Sequence, residues 1–125
     1  MDLSETETKR LGIVQALIDD AVEAFGATRI VSRTAADVHA GLMSTANLAI
    51  GTDLVVLYDV LDLLSKPSDL LKMLVSGGVW AVIASVPVTD CDWTTGRLRD
   101  LFDEVGYNVT DHRQEGDWQV LLALS

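Results

Sequence analysis

Asp59 closes the apolar run Leu54-Val55-Val56-Leu57-Tyr58, and the carboxyl end of a buried strand is where open α/β sheets bind their ligands. A strand-end acid can equally cap the helix that follows, so Asp59 carries both readings, and Tyr58 beside it reads as a packing residue. Asp37 follows Thr34 by three residues, the spacing at which an acid satisfies backbone N–H groups at a helix start. His39 and His112 are far apart and have no partner pattern for metal binding or proton transfer, and His39 reads as a partly buried polar residue on a helix. Cys91 lies between Asp90 and Asp92, which disfavour a reactive thiolate. As the single cysteine it excludes an internal disulfide and a cysteine-built zinc site. Ser44, Ser85 and Ser125 stand in no nucleophile-elbow sequence. Asp90, Asp92, Asp100, Asp103 and Glu104 do not have calcium-loop spacing and read as solvated charge. No glycine-rich phosphate loop with Lys and Ser/Thr is present. Trp80, Trp93 and Trp118 read as core or rim packing.

The 125 residues that must position these groups are 49% hydrophobic and 22% charged, enough for one domain with a modest core. There are 19 acidic and 9 basic residues, a net charge of -10, which argues against nucleic-acid backbones and anionic membranes as partners. No run approaches the roughly 20 apolar residues that span a bilayer. The expectation is a single cytoplasmic domain over 1–125, with residues 1–10 a polar, flexible start.

Ser4-Glu5-Thr6-Glu7 has capping-box spacing. Leu11, Val14, Leu17, Ile18, Ala21, Val22 and Phe25 then follow helical spacing up to a stop at Gly26. Arg29 to Ser32 reads as a short strand, and Thr34 opens a helix with Val38, Leu42, Met43 and Ala46 on its inner face. Asp53 to Asp59 and Val79 to Val86 are continuous apolar runs, the pattern of strands buried on both faces. Between them Ser68 is the expected cap of a helix through Leu70, Leu71, Leu74 and Val75, stopped by Gly77-Gly78. A helix through Leu98, Leu101, Phe102 and Val105 stops at Gly106. Tyr107 to Thr110 and Trp118 to Leu124 form a closing pair around the turn Gln114 to Asp117. The predicted fold class is α/β: an open, mostly parallel, three-layer Rossmann-like sheet of about five strands with an antiparallel C-terminal pair.

The strand ending Tyr58-Asp59, the Val60-Leu61 step, the helix with Leu70-Leu71-Lys72-Met73-Leu74, Gly77-Gly78 and the strand after it resemble the second half of class I S-adenosylmethionine-dependent methyltransferases. Leu101-Phe102-Asp103-Glu104-Val105-Gly106-Tyr107 and the ending Trp118 to Ala123 are similar to that family's late helix and last strand. Ala36 to Met43 resembles a segment of the methyltransferase domains of polyketide and fatty-acid megasynthases. The resemblance implies that Arg29 to Ser32 is the family's second strand, that Asp37 stands where an acid holds the cofactor ribose, and that Tyr58 and Asp59 border cofactor or substrate. The family's opening strand with its glycine-rich turn has no counterpart, since Gly12 and Gly26 are the only glycines upstream of Arg29.

Two readings follow. In the first, the chain is a degenerate methyltransferase-like domain, a structural or protein-interaction module with no cofactor, tied to a biosynthetic multienzyme and to a protein partner or a second copy. In the alternative it is a compact methyltransferase that binds S-adenosylmethionine through Asp37, Tyr58 and Asp59. Methyl transfer relies chiefly on positioning and does not require a conspicuous base.

Overall fold

The computed structural model describes residues 5–34, 37, 51–64, 66–87, 95–115 and 118–125. Helix α1 (Glu5–Phe25) opens the chain. It turns Val14, Leu17 and Ala21 inward, all buried, at the spacing of one helical face. The helix therefore begins inside the stretch expected to be a flexible start, and Glu5 to Arg10 belong to it. It ends as predicted at Gly26, whose φ of 80° is open to glycine without a Cβ penalty. The N–H groups of Gly26 and Ala27 donate to the carbonyls of Val22 and Ala21 at 3.2 and 3.1 Å, closing the helix with the paired bonds of a Schellman motif.

Strands β1 (Ile30–Arg33), β2 (Leu54–Tyr58), β3 (Ala81–Pro87), β4 (Asn108–Glu115) and β5 (Trp118–Leu124) form one sheet in the order β1-β2-β3-β5-β4. The pairs β1–β2 and β2–β3 are parallel, and β5 runs antiparallel to both β3 and β4. Four of the five residues of β2 are buried, as are six of the seven of β3, which is why both read as unbroken apolar runs. The Asp53 carboxylate fixes the entry to this core. It accepts the backbone N–H and hydroxyl of Thr28 at 3.0 and 2.8 Å and the N–H of Arg29 at 3.2 Å. These bonds hold its carboxyl down at about 2.

Helices α2 (Pro67–Ser76) and α3 (Thr95–Val105) cover one sheet face, where Leu71, Leu74, Leu98, Phe102 and Tyr107 pack on Val55, Leu57 and Val82. Helix α1 covers the other, where Val14, Leu17 and Ala21 meet Leu54, Val56, Ile83 and Trp118. The described residues thus build the three layers predicted. Two boundaries differ. Helix α2 starts at Pro67 rather than after a Ser68 cap, because proline suits the first helical position, where its missing N–H costs nothing. Strand β4 continues to Glu115, well past Thr110, with a register irregularity between Val109 and Asp111. Among the described elements it lies at the sheet edge, where backbone pairing to β5 suffices without an apolar pattern. Of the helix expected after β1, only Thr34 and Asp37 fall within the described residues.

Candidate functional site

The parallel strands β1, β2 and β3 end on one side of the sheet, and each expected site residue belongs to that side. Asp37 lies beyond β1. Its carboxylate accepts the backbone N–H of Thr34 at 2.7 Å and the Thr34 hydroxyl at 3.3 Å, while its own N–H donates to the Thr34 carbonyl at 3.0 Å. That is the carboxylate-to-backbone half of a capping box.

Tyr58 is the last residue of β2, and Asp59 follows it with φ 54°, the left-handed region that non-glycine residues rarely enter. The conformation is held from β3. The Asp59 N–H donates to the Ser85 carbonyl at 2.8 Å, and the Ser85 hydroxyl donates to Asp59 Oδ1 at 3.3 Å. The other carboxylate oxygen, Oδ2, accepts from Arg10 Nη1 at 2.8 Å. The Arg10 guanidinium carbon lies 5.6 Å from the centre of the Tyr58 ring, within cation–π range. The Arg10 side chain is only 16% exposed and that of Asp59 33%.

Arg10 and Ser85 are partners that sequence reasoning did not assign. Arg10 did leave a signal: it sits at the helical spacing of Val14, Leu17 and Ala21, a cation on an otherwise apolar stripe. Such a placement demands an anion on the facing element.

Asp62, in the short 3-10 turn Leu61–Leu63, is a third acid here. Burial pushes its carboxyl above the usual 3.8, and the nearby Asp59 charge adds to the rise. The fold therefore favours protonated Asp62, a contribution present at low pH and lost as pH rises through the folded-state value. Asp62→Asn is expected to melt higher than the unsubstituted protein at about pH 7, and the gap should close by about pH 3. Thermal unfolding at the two pH values checks this; a less stable variant at neutral pH would contradict it.

His112 lies apart on β4, its Nε2 2.8 Å from Oε1 of the buried Gln119. His39, Ser44, Cys91, Asp90, Asp92 and Trp93 lie outside the described residues. Among the described residues no group of three or more His, Cys, Asp or Glu is placed to hold a metal ion. No described helix is long and apolar enough to cross a membrane.

No protein-family model matches the chain, and no curated protein matches it in sequence. Solved structures do match in shape. Magnesium protoporphyrin IX methyltransferase from Synechocystis PCC 6803, solved with bound S-adenosylhomocysteine, superposes with a TM-score of 0.63 at 11% identity, covering 99% of this chain and 89% of that one. The fold is class I methyltransferase-like. The same enzyme with S-adenosylmethionine bound gives 0.61 at 12%, covering 99% and 85%. Mitomycin 7-O-methyltransferase gives 0.54 at 10% identity over 90% of this chain, which spans 46% of that enzyme.

Sheet order bears on one strand assignment within this methyltransferase-like fold. In doubly wound sheets ordered 3-2-1-4-5, the strand beside the fourth is the first, and the cleft at that reversal takes the ligand. β1 pairs directly with β2 and so stands at that reversal, whether it corresponds to the family's first strand or to its second. The residues after it, Thr34-Ala35-Ala36-Asp37, contain no glycine. A close backbone approach to a cofactor there would meet side chains.

Proposed function

We propose that the chain is a methyltransferase-like module that no longer transfers methyl groups and serves as a structural or protein-interaction domain. The carrying observation is the Arg10–Asp59 pair: the acid at the end of the central strand is engaged by the protein's own N-terminal helix. The turn after β1, without glycine, supports the same reading. The likeness of Ala36 to Met43 to megasynthase domains favours a biosynthetic multienzyme in the cytoplasm as its setting. Among the described residues β1 pairs with β2 alone, and such a strand edge suits a protein partner or a second copy. The net charge of -10 disfavours nucleic acid and anionic membrane.

One observation favours the alternative, a compact methyltransferase using Asp37, Tyr58 and Asp59: structures of the same fold hold S-adenosylmethionine and S-adenosylhomocysteine. Calorimetric titration with both compounds separates the two readings. The module reading expects no saturable heat at about millimolar ligand, which corresponds to a binding energy no stronger than about 4 kcal/mol. Saturable binding that Asp59→Ala abolishes would establish the alternative.

A further inference from the structure

Strand β4 closes the sheet on one side, and among the described elements it pairs with β5 alone. An edge strand turns the N–H and C=O of every second residue outward, a template for one more strand. An apolar edge invites any partner, whereas a charged edge admits only a strand whose charges answer its own. Beyond the irregularity at Thr110, β4 reads Asp111-His112-Arg113-Gln114-Glu115. Asp111 and Arg113 stand opposite Leu122 and Val120 of β5, on the sheet face that α1 covers further in. Their side chains are 33% and 43% exposed and lie 3.1 Å apart, a pair that contributes little to the monomer. On the other face His112 leans back toward β5, its Nε2 2.8 Å from Gln119 Oε1.

The spacing of the two charges is self-complementary. Let two copies of β4 meet antiparallel about a two-fold axis through His112. Asp111 of each then stands directly opposite Arg113 of the other, and the symmetry forms both ion pairs at once. Moving the axis to Asp111 or to Arg113 sets a charge opposite its own copy, which is unfavourable. An axis at Gln114 matches Arg113 with Glu115 but uses only the last turn of the strand, Arg113 to Glu115. We propose that the outer edge of β4 is a homodimer interface, in which two copies join antiparallel about His112 with Asp111 and Arg113 paired across the axis. The proposal rests on the module reading, which gives the chain a partner at a sheet edge, and names that partner as a second copy and the edge as β4.

Sedimentation equilibrium of the full chain tests it, at about 0.1 mM protein and about pH 8, where an imidazole is ordinarily neutral. The unsubstituted protein should be largely dimeric. Arg113→Asp and Asp111→Arg each set like charges opposite one another, and each alone should weaken association by about tenfold or more. The two variants mixed should associate with each other, because every opposed position then carries opposite charges although the pair within each strand stays broken. The double variant Asp111→Arg with Arg113→Asp restores the match within one chain and should recover association to within about threefold. A monomeric unsubstituted protein overturns the proposal. So does a dimer that the single variants leave unchanged, or one that the mixture or the double variant fails to recover. Circular dichroism establishes that each variant is folded, and should Arg113→Asp not fold, Arg113→Glu is read in the same way.

The outcome separates from that of the module reading. If the unsubstituted protein binds S-adenosylmethionine, the module reading falls and the dimer stands on sedimentation alone. If the protein is a monomer and no cofactor binds, the β4 interface falls and the module reading stands with a partner of another kind.

Discussion

Phe102→Ala is expected to lower the unfolding free energy by about 3–5 kcal/mol, a large share of the roughly 5–15 kcal/mol available to a domain. Phe102 is fully buried between α3 and the sheet, and its ring meets Tyr107 edge-on with centroids 5.9 Å apart at 62°. Truncation removes the apolar area, leaves a cavity that a close-packed core refills poorly, and cancels the aromatic contact. Tyr107 would also lose the wall that places its hydroxyl, which donates to the Val79 carbonyl at 2.7 Å. Burial drives the Tyr107 pKa well above the ordinary phenol range, which keeps the hydroxyl protonated where an exposed phenol would begin to ionise. Tyr107→Phe should cost less, about 1–3 kcal/mol, because only the bond is lost and the carbonyl left unpaired. Urea unfolding of the variants checks both values. A Phe102→Ala loss below about 1 kcal/mol would mean that this face packs otherwise than described.

Asp59→Val is expected to cost about 3–4 kcal/mol, and Asp59→Asn about half of that. Two terms act in the valine variant. Arg10 keeps its buried position but loses the Asp59 carboxylate, a penalty of about 3–5 kcal/mol for fully buried pairs and less here because Asp59 is one-third exposed. A β-branched residue at φ 54° adds roughly 1–2 kcal/mol of backbone strain. Asparagine tolerates that conformation and still offers a neutral acceptor. Denaturant unfolding at low ionic strength measures the difference. Equal losses for the two substitutions would show that the backbone of residue 59 bears no strain.

What was legible in the sequence depended on how local its cause was. Strands β2 and β3 could be read from Leu54–Tyr58 and Ala81–Pro87 because burial on both faces leaves no room for polar residues. The stops of α1 and α3 could be read because Gly26 and Gly106 adopt positive φ. The length of β4 could not: Thr110 to Glu115 carry no apolar alternation, and only pairing with β5 makes them a strand. Asp59 and Tyr58 were recognised as strand-end residues, but Arg10, which meets both, lies 49 positions from Asp59 in sequence. A cation on an apolar stripe announces that it needs an anion without saying which one.

The placement of β5 bears on how the protein is made. β5 lies between β3 and β4, yet it follows both along the chain. On the ribosome, β3 therefore waits with an unpaired apolar edge until some thirty further residues have been added, on the order of seconds at about 5–20 residues per second. That edge stays open to non-native pairing until the last strand enters between β3 and β4.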